Sequence, residues 1–409
     1  MKTYDSYIDS GINWLGKIPS HWKVKKLRAF FDEVTQLNSD KLISNQLQFK
    51  YGTIIPKPNQ TIDDTIWNTI AKYTCVEPDD IIINGLNLNY DFISQRIGKV
   101  NEVGIITSAY LSLRPRKNIN ARFFEYLLKA MDAKKVFHGF GTGVRATLAY
   151  KELKHKLILD VPLSEQDEIA NHLDKVTREI DKAIEVHQKI IDTLNERKQI
   201  IITQAVTRGI NPNVPLKDSG INWLGLIPEH WNVWKLKFLA NLKSGKNLTS
   251  EDISPEYASD TFPVYGGNGL RGYYREFNTD GDYAIIGRQG ALCGNINYAH
   301  GKFWATDHAV VCYPLKQYPL LWFGELLKVA NLNQYATQSA QPGLSVERIK
   351  VVGLPYPPYN ELLQINTFLE ETILSFEKPI IYQQKMIELL RERKNIIINE
   401  VVTGKVKVS

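Results

Sequence analysis

The sequence predicts an α+β protein in which two globular α/β domains are joined by two long antiparallel helices, with a pseudo-two-fold internal repeat. Three observations predict it. "DSGINWLGKIPSHW" (Asp9 to Trp22) returns as "DSGINWLGLIPEHW" (Asp218 to Trp231), and from Asp9 to Leu27 the two copies agree at 15 of 19 positions. "LNERKQIIITQAVT" (Leu194 to Thr207) is echoed by "LRERKNIIINEVVT" (Leu390 to Thr403). Between Pro162 and Gly209 lie 46 residues without Gly or Pro. Each half therefore reads as short motif, globular segment, then long helix, the mark of a tandem duplication. The expected boundaries are 1–160 for the first domain, 161–208 for the first helix, 209–356 for the second domain and 357–409 for the second helix with its tail. At 409 residues the chain is also too long for one ordinary core.

The motif sits where a helix hands over to the next globular segment, and its Trp, Gly and Pro pattern reads as a structural corner with Trp14, Trp22, Trp223 and Trp231 as packing anchors. "WKVKKL" and "WNVWKL" then open each domain as strands. In the first helix, Ile169, Leu173, Val176, Ile180, Ala183, Ile190, Leu194 and Ile201 follow a 4,3 spacing broken by His187 and Arg197, which predicts a coiled-coil seam. Ser164 followed by Asp167 suggests a capped start, and the helix would be about 70 Å long. The second helix repeats the register with Ile365, Leu369, Phe376, Met386, Leu390 and Ile397. Pro379 should kink or break it by removing one backbone bond.

Composition bounds the function. With 43% apolar and 23% charged residues the chain has the make-up of a folded soluble protein. No stretch is apolar enough for a signal peptide or a membrane span, so the cytoplasm is the expected location. Net charge is +6, a mild lean toward polyanions. The globular segments 28–160 and 237–356 hold +4 and +1, while 161–208 and 357–403 are each −2, so positive charge avoids the helices. Cys75, Cys293 and Cys312 lack CxxC spacing and read as buried thiols; the eight histidines show no ligand spacing.

The twofold "DSGINWLGxIPxHW" pattern, the "ERKxIII" helix ends leading to "AVTRG" and "VVTGK", and the order of parts resemble the DNA-specificity subunit of Type I restriction-modification enzymes. The resemblance covers essentially the whole chain. It implies that each globular segment is a target-recognition domain reading one half of an asymmetric bipartite double-stranded DNA site. It implies further that the helices form a spacer on which two methyltransferase subunits dock, with motor-nuclease subunits outside them. This chain would be non-catalytic and hold no cofactor; S-adenosylmethionine, ATP and Mg would belong to those partners. The contrasting reading is a coiled-coil scaffold without sequence-specific DNA binding. Titration of duplex DNA at several salt concentrations separates the two.

The globular segments 28–160 and 237–356 do not align with one another beyond scattered matches, as an asymmetric target requires. "FPVYGGNGLRGYYREF" (Phe262 to Phe277) and "IIGRQGALCGN" (Ile285 to Asn295) combine Gly, aromatic, amide and Arg residues. Gly permits close backbone approach, Arg can fork onto guanine, and Asn or Gln onto adenine. The candidates there are Tyr265, Asn268, Arg271, Arg275, Arg288 and Gln289. In the first segment they are Tyr51, Lys57, Asn87, Arg96 and Arg145, with Lys57 assigned to phosphate and the Arg and Asn residues to base edges.

Catalytic readings fail on context. "FHGFG" (Phe137 to Gly141) has the glycine spacing of a methyl-donor site but follows a helix-like run where a strand is needed. No GxxxxGK[ST] is present. "EPDD" (Glu77 to Asp80) lacks the following acidic-x-Lys of a metal nuclease and reads as a turn.

Overall fold

The computed structural model describes residues 2–50, 52–58, 64–88, 95–140, 147–290, 292–337 and 343–408. The chain divides into two compact units: Met1–His187 with Lys385–Ser409, and Gln188–Gln384.

Each unit is built around a four-stranded antiparallel sheet. In the first unit its spatial order is Phe31–Glu33, Leu111–Pro115, Ile81–Ile83, Ile97–Lys99. In the second it is Ala240–Ser244, Ala309–Pro314, Tyr283–Gly287, Ile296–Ala299. Numbered along the chain, both read first, fourth, second, third. The elements after the fourth strand are repeated too. A helix (Ala121–Ala133; Leu320–Val329) and a short helical turn (Tyr150–Leu153; Val346–Ile349) lead to a closing strand (Leu157–Asp160; Gly353–Tyr356). That strand pairs with the entry strand, Lys23–Lys26 or Asn232–Lys235. Two segments that do not align in sequence thus share one topology.

The sheets are buried on both faces because side chains alternate along a strand. Ile81 and Ile83 enter the main core of the first unit while Ile82 enters a smaller one. Ala284 and Ile286 face the main core of the second unit while Ile285 joins its smaller one. The units differ in what covers that second face. In the first it includes a hairpin, Leu47–Lys50 with Thr53–Pro56. In the second it is another sheet, ordered Gly269–Tyr274, Phe262–Gly266, Lys302–Ala305, Thr279–Asp280. Ahead of the sheet, Glu77 to Asp80 is a turn with Asp79 at φ 73°, and Asp80, 1% exposed, accepts two bonds from the Arg114 guanidinium (2.9 and 2.8 Å). Cys293 and Cys312 are buried, whereas Cys75 is only half-buried, short of the burial expected for it.

The first long helix is Leu163–Arg208 and the second Tyr359–Val402, and each runs through parts of both units. In the first unit Ile169, Ala170 and Leu173 share a core with Ile398, Val401 and Val402, and Lys394 Nζ holds both carboxylate oxygens of Asp181 at 2.7 Å. In the second unit Ile202, Ala205 and Val206 share a core with Leu362, Ile365 and Leu369. Within each unit, rising numbers on one helix meet falling numbers on the other, so the pairing is antiparallel.

The buried register differs from the heptad reading. Ile169, Ile180, Ile191 and Ile202 are the buried isoleucines of the first helix, each 11 residues after the last, while Ile190 is 38% exposed. In the second helix Ile365, Ile387 and Ile398 are buried, with half-buried Phe376 between the first two at the same spacing. An 11-residue repeat closes three turns at about 3.67 residues each, close to the 3.6 of a straight helix, whereas a heptad drifts by about 20° per repeat. Ile190 lies three heptads from Ile169, so it has rotated off the buried face. The second helix is continuous through Pro379, so the expected break does not occur. Thr372 and Ile380 flank it on the buried face and supply packing that offsets one missing backbone bond.

The repeated motif clasps a helix start. Its hairpins are Tyr7–Asp9 with Lys17–Pro19 and Leu216–Asp218 with Leu226–Pro228, and the Asp9 and Asp218 carboxylates accept from the Gly11 and Gly220 amides at 2.9 Å. Beyond the first hairpin, Trp22, 1% exposed, donates its indole N–H to Glu165 Oε2 (3.0 Å), while His21 Nε2 lies 2.6 Å from Oε1. Beyond the second, Trp231, wholly buried, donates to Glu361 Oε2 (3.0 Å), with His230 Nε2 at 2.8 Å. Glu165 and Glu361 are each the third residue of their helix, where a carboxylate also favours the unpaired N–H groups and the macrodipole. This clasp stands where a Ser164 cap was expected; Ser164 is already the second residue of the helix.

The opposite helix ends on the same tryptophans. Gly404 and Gly209 close the helices at φ 71° and 75°, the left-handed conformation that suits glycine. A Cβ at Gly404 would sit 2.5 Å from Pro19 Cδ and 2.8 Å from Trp22 Cζ3, and one at Gly209 would sit 3.1 Å from Trp231 Cζ2. "VTRG" and "VVTG" therefore end in glycine for two reasons: the turn and the indole against it.

Candidate nucleic-acid interface

The glycine-rich loops of the second unit converge at one end of its sheet. Strands Phe262–Gly266 and Gly269–Tyr274 are joined by Gly267 and Asn268, and this tip lies directly on the segment after Tyr283–Gly287. A Cβ on Gly287 would fall 1.9 Å from the Gly267 carbonyl, an approach only glycine allows. A Cβ on Gly267 would lie 3.1 Å from the His308 carbonyl and 3.4 Å from that of Gln289. Backbone bonds fix the arrangement: Arg288 N donates to His308 O (2.9 Å), Thr306 N to Tyr265 O (2.9 Å) and Leu344 N to Arg288 O (2.7 Å).

Of the second-domain candidates, Asn268, Arg288 and Gln289 are brought together here. Asn268 and Gln289 are exposed; Arg288 is half-buried, with Nη1 3.4 Å from Ser244 Oγ. Arg271 and Arg275 are exposed farther along the same hairpin. The missing Cβ of Gly266 makes room for Arg271, whose Cδ would otherwise be 2.5 Å away, and Arg271 Nη2 reaches Ser250 Oγ at 3.3 Å. Tyr265 is a packing residue: its ring meets Phe303 edge-on at 5.5 Å, and burial pushes its hydroxyl above the ordinary tyrosine range.

In the first unit, Tyr51 and Arg145 lie outside the described residues. Lys57 is exposed just beyond the hairpin Leu47–Lys50 with Thr53–Pro56, its N–H bonded to Gln46 O at 2.7 Å. Asn87 is exposed at φ 51° in the loop after Ile81–Ile83, which Gly85 ties to Leu148 as Arg288 is tied to Leu344. In both domains the segment just after the second strand of the sheet is thus tied by a backbone bond to a residue ahead of the closing strand.

Arg96 corrects the sequence reading. It is 7% exposed, and its guanidinium donates to the carbonyls of Asn84 (2.7 Å), Leu86 (2.6 Å) and Asn87 (3.2 Å), while its own N–H donates to Asp132 Oδ2 (2.9 Å). A side chain turned inward onto three carbonyls shapes the loop from beneath and cannot also fork onto a base. Arg96→Ala is expected to cost about 2–3 kcal/mol, because it leaves carbonyls without a charged donor, and to weaken binding to any DNA target without removing a guanine preference at any position. Denaturant unfolding and binding to single-base-variant duplexes check the two halves of that statement.

Sequence reasoning missed Asn295, His308 and Ser244. Asn295 Nδ2 donates to Asn268 Oδ1 at 3.1 Å, and His308 supplies the carbonyl that holds Arg288. His308 and Ser244 lie outside the candidate stretches and are united with them only by strand pairing, while Asn295 closes the stretch Ile285 to Asn295 but meets a partner 27 residues away that no local pattern signals. Among the described residues no cluster could hold a metal ion, and no helix is long and apolar enough to cross a membrane. Phe137, from the "FHGFG" stretch, is a core residue in a turn after a helix.

Residues 228–392 match the family model for the Type I restriction modification DNA specificity domain. The Type I restriction enzyme EcoprrI specificity subunit of Escherichia coli is 38% identical over 134 residues, 32% of this chain and 33% of that protein. The Type I restriction enzyme MjaVIII specificity subunit of Methanocaldococcus jannaschii is 25% identical over 426 residues, 96% of this chain and 94% of that protein. The chain thus spans about a third of the first relative and nearly all of the second. A solved chain from a study of complex assembly and conformational transition in the type I R-M system shares the fold at a TM-score of 0.68 and 13% identity, covering 95% of this chain and 99% of that one. With the duplicated motif, the twice-used strand order and the paired long helices already in view, these matches agree in one direction: the chain is similar to Type I restriction enzyme specificity subunits, and its residues 228–392 match the DNA specificity domain of that family.

Proposed function

We propose that this chain reads DNA sequence for a Type I restriction-modification complex. Residues 1–160 and 209–356 each recognise one half of an asymmetric two-part duplex target. Residues 161–208 and 357–409 supply the helices on which two methyltransferase subunits dock, with motor-nuclease subunits joining them. The chain selects the site; its partners methylate adenine with S-adenosylmethionine or, on unmodified DNA, use ATP and Mg to translocate and cut.

The observation that carries this reading is one strand order used twice with different coverings. The sheet order first, fourth, second, third recurs in both units, whereas the elements grafted between its first and second strands differ. A shared topology sets the loops after Ile81–Ile83 and Tyr283–Gly287 at equivalent places, and unlike loops select unlike half-sites. Asn87 on the first of those loops and Arg288 and Gln289 on the second suit base-edge contacts, and Lys57, just beyond the hairpin Leu47–Lys50 with Thr53–Pro56, suits a phosphate.

Co-expression with the modification partner, followed by genome-wide mapping of methylated adenines, tests it. The expected result is a target of two separated words, and replacing residues 237–356 by the corresponding domain of another specificity subunit should change one word only. Marks on a single undivided word, or both words altered by that exchange, would overturn the reading.

A further inference from the structure

The geometry points to the Asn268–Asn295 amide pair as the reader of an adenine in the half-site bound by the second globular domain, with Asn295 a specificity-determining residue. The inference rests on the DNA-reading function proposed above and adds to it a base and the side chains that recognise it.

Three features single out this pair. Both residues are exposed at the loop junction, and each backbone is fixed from behind. Asn268 sits in the tip pressed on Gly287, and Asn295 O accepts from Gly287 N (2.8 Å) while its N–H donates to Leu292 O (3.1 Å). Second, the amides are bonded to one another, Asn295 Nδ2 to Asn268 Oδ1 at 3.1 Å. That bond uses one donor and one acceptor. Asn295 keeps its Oδ1 and a second N–H, which together match the N6–H donor and N7 acceptor that adenine shows in the major groove. Third, the bond holds the side chain in one orientation before DNA arrives, so the ordering of an asparagine rotamer is already met in the free protein.

The neighbours fit a short purine-reading cluster. Arg288 lies just behind the hairpin tip, its N–H 3.7 Å from where a Gly267 Cβ would stand, and its guanidinium is suited to the O6 and N7 of guanine. A third amide, Asn297, backs the pair: its Oδ1 lies 3.0 Å from the Cβ position of Gly269, which at φ 100° must be glycine. Asn297 Nδ2 is buried with no hydrogen-bond partner among the described residues.

The test uses the full chain with its methyltransferase partner. Asn295→Ala, Asn295→Asp and Asn268→Ala are each co-expressed, and methylated adenines are mapped across the genome. Aspartate at 295 exchanges the N–H donor for an acceptor facing adenine N7. For Asn295→Ala and Asn295→Asp one A·T position, in one half-site, should lose discrimination by roughly ten- to a hundredfold, with the other half-site unaltered. Asn268→Ala, which removes the brace, should weaken the same position by less. Equilibrium binding to duplexes carrying each base pair in turn gives a second readout that does not need methylation. Loss of the wild-type A·T preference at one position supports the assignment. An Asn295→Ala protein that keeps every preference, or loses one at a G·C pair, overturns it. Failure of the underlying reading would look different, because the wild-type chain itself would then leave no two-part mark.

Discussion

Replacing Trp231 by alanine is expected to lower the stability of the second unit by about 3–5 kcal/mol, the usual cost of deleting a wholly buried aromatic side chain. The indole does three things at once. It fills the core with Leu236, Leu239 and Leu362, donates to Glu361 at the start of the second helix, and forms the surface against which Gly209 closes the first. Trp231→Phe separates these contributions, since the ring remains while the N–H is lost. That variant should cost about 1–3 kcal/mol, the penalty of taking the indole N–H from the half-buried Glu361 carboxylate, which keeps His230 as its remaining side-chain partner. Denaturant unfolding followed by circular dichroism measures the total. Hydrogen exchange over residues 359–369 localises it, and protection there should fall in both variants. A loss below about 1 kcal/mol in Trp231→Ala would mean that the motif does not hold the helix start.

Aspartate at position 191 should cost at least about 3 kcal/mol, and aspartate at position 190 less than about 1 kcal/mol. Ile191 is 6% exposed and Ile190 is 38% exposed. An unpaired carboxylate at the first site loses the apolar contact and must also be desolvated, whereas at the second it stays in water. The two variants have the same composition and charge, so differences in helix propensity cancel. The comparison therefore isolates the register. A larger penalty at 190 would restore the heptad seam, and equal penalties would mean that neither face is packed.

Much of the architecture was legible because duplication writes the same physical requirement twice. The 46-residue run without Gly or Pro became a helix with the same two ends, Leu163 and Arg208. The turn at Glu77 to Asp80, the entry strands and the tryptophan anchors likewise follow from short-range chemistry. The heptad reading failed for a specific reason. Over one or two turns, periods of 7 and 11 are hard to distinguish, and a run of adjacent isoleucines such as Ile190 and Ile191 satisfies either. Only the surface the helix packs against chooses between them.

The candidate interface shows the same division at the level of single side chains. Gly266, Gly267 and Gly287 announced close backbone approach, and the structure places Asn268, Arg288 and Gln289 around them. Arg96 carried the same local signal as Arg288, yet it turned inward because the carbonyls of Asn84, Leu86 and Asn87 surround its guanidinium. Asn295 carried little signal, since its partner is 27 residues away along the chain.

By itself the sequence determined that the molecule is made twice, where its long helices begin and end, and which segments carry loops rich in glycine, arginine and amides. These follow from propensity, punctuation and repetition, which act over a few residues and survive without knowledge of neighbours. The tertiary structure alone decided that two dissimilar segments adopt one strand order, that the buried helical face repeats every 11 residues, and which polar side chains face outward. Those outcomes depend on burial and on hydrogen bonds between residues far apart in the chain, energies that exist only once the partners have been brought together.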